Sequence, residues 1–135
     1  MKKIIAMLLA MALVFVLGAC GGGNVKNAKT HEVPSELYTQ QEINAAIEQI
    51  KAEFAHNWKG CTLTEIYYAG DKASTDHQEW AQRHNADETL VLLSSFDVAP
   101  FGADITLNPG DTYPNWNWIL VRNKGGAWRH VDHGY

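Results

Sequence analysis

The spacing of apolar residues changes several times along this chain. Ile4 to Leu17 is a run of fourteen residues without a charge or a proline, preceded by a basic Met1-Lys2-Lys3. As a helix the run would rise only about 21 Å, short of a hydrocarbon core of roughly 30 Å. That is the length of a signal peptide, with a basic flank before it and small residues after it. Gly21-Gly22-Gly23 and then Asn24 to Thr30 are polar and have almost nothing to bury, the composition of a flexible tether. From about Pro34 the pattern becomes that of a packed domain. Ile43, Ala46, Ile47, Ile50 and Phe54 recur at steps of three and four, with Glu42, Gln49, Lys51 and Glu53 off the stripe. This spacing predicts an amphipathic helix over 40–57, closed soon after by Gly60. Thr39-Gln40-Gln41-Glu42 fits a capping box, and Tyr38 and Ile43 occupy the staple positions around it.

After Gly60 the period falls to two. Cys61 to Ala69, rich in Thr, Ile and Tyr, reads as a strand ending at Gly70-Asp71. Thr75 to Gln78 can cap a short helix reaching about His84. Leu90 to Val98 is the next strand, and its apolar run places it centrally. Asn115 to Arg122 and Ala127 to Asp132 flank Asn123-Lys124-Gly125-Gly126, a hairpin signal. Ala99 to Pro114 carries three prolines and Asn108-Pro109-Gly110-Asp111, which is turn chemistry, with room for a brief edge strand at Ile105 and Leu107. One helix and about four antiparallel strands bury their faces most simply with the helix packed on a curved sheet, an α+β fold. About 100 residues in that arrangement hide roughly 65% of their surface, enough to stand without disulfides. The expected organisation is a signal peptide at 1–19, a tether at 20–33 and one domain at 34–135.

Charge and cysteine usage narrow the setting. Leu17-Gly18-Ala19-Cys20, placed after a basic start and an apolar run, resembles the bacterial lipobox. In that group of precursors the cysteine thiol receives diacylglycerol and a peptidase cuts before it. The resemblance implies a lipid on Cys20, anchoring at the extracytoplasmic face of the cell membrane, and a folded part hanging a short distance from it. Two or three acyl chains suffice for stable anchoring, at about 0.8 kcal/mol per buried CH₂. Removing 1–19 takes away Lys2 and Lys3 and leaves 9 basic against 15 acidic side chains, a formal −6. That balance argues against nucleic acid as a partner. Lipid on Cys20 also leaves Cys61, the other of the two cysteines, as a small buried thiol.

The order of elements, with helix first and a Trp-rich last hairpin, resembles the cystatin-like architecture of the nuclear-transport-factor-two-like superfamily. More closely, Gly60-Cys61-Thr62-Leu63, Trp118 to Asn123 and the ending Trp128…His133-Gly134-Tyr135 are similar to a family of short bacterial lipoproteins with a domain of unknown function. The resemblance implies the fold and no reaction. Some members of the superfamily are isomerases or dehydratases with a carboxylate or histidine and a tyrosine inside the cone of the sheet.

Candidate chemistry is sparse. His130-Val131-Asp132-His133 combines imidazole and carboxylate, the groups that bind zinc or move protons. Residues three apart on a strand point to opposite faces, so His130 and His133 are not expected to meet, while His130 and Asp132 share a face. A solvated strand end is the plainer reading, and the stretch offers too few ligands for zinc; no metal or cofactor is expected. His77 and His84 are about 10.5 Å apart along a helix, too far to chelate one ion, and read as surface residues. Trp116 and Trp118 alternate with asparagines and share a face, which makes either an aromatic platform for a sugar or peptide or, with Leu120 beside them, core under the helix. Asp97 with Tyr67 or Tyr68 supplies the pieces of a carboxylate base and a hydroxyl donor. Gly-x-Ser-x-Gly, phosphate-loop and His-Glu-x-x-His motifs are missing from the sequence, as is the Gln-x-Val-x-Gly loop of cystatin inhibitors. The reading that follows is a non-catalytic binding module for a small ligand, glycan or protein partner. The alternative is a small lyase or isomerase, and sheet-to-sheet pairing into a homodimer is a third arrangement the architecture allows.

Overall fold

The computed structural model of the chain describes residues 22–104 and 106–135. The expected signal peptide, Cys20 and Ile105 lie outside the described residues. Helix α1 spans Gln40–Asn57 and buries Ile43, Ala46, Ile47, Ile50 and Phe54 along one stripe, as its period predicts. The capping box is formed. The Thr39 hydroxyl accepts from the Glu42 N–H at 3.1 Å, and the Glu42 carboxylate accepts from the Thr39 N–H at 2.9 Å. Strands β1 (Cys61–Tyr68), β2 (Glu88–Val98), β3 (Thr112–Arg122) and β4 (Arg129–Gly134) form one antiparallel sheet in the order β1-β2-β3-β4. The molecule is therefore α+β, with α1 packed on one face of an open sheet.

The pleat sends Leu90, Leu92, Phe96, Trp118 and Leu120 toward α1, where all are fully buried. Trp118 is central, and its indole N–H donates to the Ser94 hydroxyl at 2.7 Å, which meets the requirement that a core indole find a partner. At the N-terminal end of α1 the buried Arg122 guanidinium lies over the Trp128 ring at 4.2 Å and pairs with Glu42 and Glu88. Glu42 thus caps the helix and ties it to β3 with one carboxylate.

Two expectations change here. The single helix capped at Thr75 is two short ones, α2 (Asp71–Asp76) and α3 (Glu79–Arg83). Thr75 lies inside α2, and its hydroxyl donates back to the Asp71 carbonyl at 2.9 Å rather than capping. Helix α3 covers the second face of the sheet, where Ala81, Val91, Ile119 and Val121 are buried and the Ala81 N–H donates to the Thr89 hydroxyl. No strand forms among the described residues of 99–111; Leu107 sits in a turn with its side chain in the core.

The tether expectation also changes for residues 22–29. Asn24 and Lys29 make parallel bridges to Thr62 and Glu65. The amides of Asn24 and Lys29 donate to β1 carbonyls, and those of Leu63 and Ile66 return to Asn24 and Lys29, at 2.8–3.0 Å. Val25 and Ala28 pack against the core. The glycines serve closeness rather than looseness. A Cβ on Gly23 would lie 2.6 Å from the Phe54 carbonyl oxygen, and one on Gly22 would collide with Ala55. The Gly23 N–H instead donates to that Phe54 oxygen at 3.1 Å, which also accepts from the Trp58 N–H at 3.0 Å.

Candidate functional site

At the C-terminal end of α1 the chain turns through Trp58 and Gly60 into β1. Gly60 holds φ +78°, and a Cβ there would stand 2.9 Å from the Ala103 backbone, so the 99–104 loop closes tightly on this turn. Between the loop, the turn and the sheet lies an open cleft of about 460 Å³. Trp58, Trp116 and His133 form one wall, Lys59, Asp104 and Thr106 sit at the mouth, and Cys61 and Leu107 lie below.

The wall is a continuous aromatic cluster. Trp58 stacks on Phe54 at 5.6 Å between centroids and meets Phe96, Trp116, Trp118 and His133 edge to face at 5.1–5.9 Å. Trp58 follows Phe54 by four residues, so it continues the buried stripe of α1; this signal was present in the sequence. Trp116 is partly buried, and its indole N–H is enclosed without a hydrogen-bond partner among the described residues. Trp118 is fully buried and offers no surface to a ligand. The two indoles share a face, as their spacing predicts, but only Trp116 borders the cleft.

His130 and His133 come together, against the strict two-residue period. Their partners explain it: Leu120 opposes His130, Ile119 opposes Asp132 and Trp118 opposes His133, so Val131 is an inserted residue. This bulge reverses the alternation within β4. His133 Nδ1 lies 3.2 Å from His130 Nε2, and the rings are 5.2 Å apart. His130 Nε2 also lies 3.1 Å from the Asp132 carbonyl oxygen, and its Nδ1 is 3.6 Å from the Glu53 carboxylate on α1. Partial burial, and next the neighbouring His130, push the His133 imidazole below its ordinary pKa. The same bulge separates Asp132 from His130: its side chain borders a hollow on the other face with His77 and Arg83.

The remaining candidates are dispersed. Asp97 is exposed and accepts from the Thr112 hydroxyl at 2.6 Å. Asp97 pairs with Thr62, whereas Tyr67 pairs with Leu93 further along β1 and stacks on His31 at 4.3 Å. Tyr68 is buried, and its hydroxyl donates to Asp71. These residues share no pocket. The His77 ring lies 2.8 Å from the Ala73 carbonyl and His84 stacks on Trp80, so the two are not gathered either.

Near the cleft, two side chains are shifted from their ordinary ionisation. Asp104 accepts from the amide and hydroxyl of Thr106, which hold its carboxyl below the ordinary range. An enolising base needs the opposite shift. Burial, and then Asp104, push the Cys61 thiol up, away from the thiolate a nucleophile requires. No group of three or more His, Cys, Asp or Glu side chains gathers as a metal cluster among the described residues. Comparison with protein-family models, with curated proteins and with solved structures finds no match for the chain, so its side chains alone carry the functional reading.

Proposed function

We propose that the chain is an envelope lipoprotein, anchored through lipid on Cys20 at the extracytoplasmic face. In this reading its cystatin-like domain is a non-catalytic binding module that takes a small ligand in the cleft at the C-terminal end of α1. One observation carries the binding half: aromatic side chains and a few polar groups together line a cleft of about 460 Å³, within the size and make-up of small-molecule sites. The apolar wall would cover the body of a ligand, and Lys59, Asp104 and Thr106 would fix its polar end. Support for the anchor is Leu17 to Cys20 behind its apolar run.

A thermal-shift screen of sugars, amino acids and small organic acids tests the cleft. Ligands should raise the midpoint of the wild type and fail with Thr106→Trp, which fills the mouth from an exposed position. Equal shifts in both proteins would remove the cleft from the reading. Mass spectrometry of membrane-extracted protein tests the anchor. An acylated N-terminal Cys20 is expected, and retention of residues 1–19 would overturn it.

A further inference from the structure

We infer that His130 and His133 form a two-imidazole site for a divalent transition cation of the zinc or copper class, at the rim of the cleft. The β4 bulge sets the spacing. Nitrogens 3.2 Å apart that each bond a cation at about 2.0–2.1 Å enclose an angle of about 100° at the metal, between the tetrahedral and square-planar values. The Asp132 carbonyl oxygen accepts from His130 Nε2 at 3.1 Å, and a cation on that nitrogen takes the place of the proton between them.

Behind the first imidazole stands a carboxylate. Glu53 faces His130 Nδ1 at 3.6 Å, on the ring atom opposite the one that would bind. A carboxylate there supports a proton on Nδ1 when Nε2 binds a cation, which displaces the proton that Nε2 shares with the Asp132 carbonyl. Glu53 comes from α1 and the histidines from β4, so the packing of helix on sheet fixes the arrangement. The His133 side chain is exposed and leaves room for water or a ligand atom in the remaining positions. Trp58, Trp116 and Trp118 lie within 5.1–5.9 Å of the His133 ring and hold it from the side away from solvent. The other four histidines are not set against a second imidazole: His31 faces Glu65 and Tyr67, His56 is exposed in the last turn of α1, His77 turns to a backbone carbonyl, and His84 stacks on Trp80. The inference does not depend on a small ligand in the cleft, because the donors belong to the chain.

The test titrates metal-free, detergent-extracted full-length protein with zinc chloride and separately with copper(II) chloride. Binding is read by equilibrium dialysis with elemental analysis, and copper also by tryptophan emission. One cation per chain is expected, with copper quenching the emission. His133→Asn, at an exposed position that leaves the core intact by circular dichroism, should weaken both metals at least tenfold. Glu53→Gln should weaken them less, and His84→Asn should leave them unchanged. Failure of the wild type to bind either metal at 100 µM, roughly the upper end of affinities worth assigning to a site, would overturn the inference. So would one-to-one binding that survives in His133→Asn.

Discussion

Ser94 is a small polar residue in the middle of β2, and the largest side chain of the core depends on it. Its hydroxyl is the acceptor for the Trp118 indole. Ser94→Ala would leave that donor buried and unpaired, at a cost of about 1–3 kcal/mol. Urea denaturation should show the loss as a lower midpoint at constant slope. Thr39→Ala removes only the side-chain half of the capping box and should cost about 1 kcal/mol; a larger loss than that of Ser94→Ala would reverse this ranking. Cys61 gives a third residue-scale expectation. It is a buried free thiol, with its pKa lifted by burial and then by Asp104, so it should react with a thiol reagent on the timescale of unfolding. Rapid labelling of the native protein would show that the cleft exposes its sulfur.

At the scale of elements, the N-terminal segment and the β4 bulge are the informative departures. Gly22→Val with Gly23→Val should push residues 22–29 off β1, because each new side chain meets the last turn of α1. The Leu63 and Ile66 amides, which donate to Asn24 and Lys29, should then exchange with deuterium much faster than amides between β2 and β3. Unchanged protection would mean that the bridges contribute little. The helix, its cap and the strand order were legible because each rests on a local period or motif. The bulge was not: one inserted residue alters no composition, yet it turns His133 to the side of His130. The pairing of 24–29 was hidden for a related reason, since a segment with no pattern of its own takes its extended form from the edge it meets. Within the site, Trp58 could be read as the next step of the α1 stripe. Asp104 and Thr106 could not, because the course of their loop depends on distant contacts at Gly60.

At the scale of the whole molecule, pH acts at both ends of the range. Burial favours protonation of Asp71, but hydrogen bonds from Ser35, Tyr68 and the Glu36 amide outweigh it and hold the carboxyl below its ordinary range. Glu42 is lowered first by the Thr39 amide and then by Arg122. Both groups are depressed in the folded state, so their stabilisation is complete above the unfolded value of about 4 and is lost as pH falls below it. Asp71→Asn combined with Glu42→Gln should flatten the acid limb of a circular-dichroism stability profile. A limb of unchanged slope would assign it to other carboxylates. On the alkaline side, burial pushes Tyr68 up to about 12. Its stabilisation is therefore intact below the unfolded value of about 10 and is lost between there and about 12. Tyr68→Phe should remove that part of the alkaline loss.

The seating of Gly22 and Gly23 against α1 has a consequence for how the protein would stand on a membrane. Fourteen loose residues would be a leash, letting the domain tumble above the lipid. With the chain fixed from Gly22 onward, only two residue steps separate Cys20 from the folded body, a reach of at most about 7 Å. A lipid on Cys20 would then act as a mount. The C-terminal end of α1 and the neighbouring loop, with Phe101 88% exposed at its tip, would be held within headgroup distance, and the cleft beside them would open near the bilayer surface. Molecules concentrated at that surface would reach the cleft ahead of those dissolved in bulk.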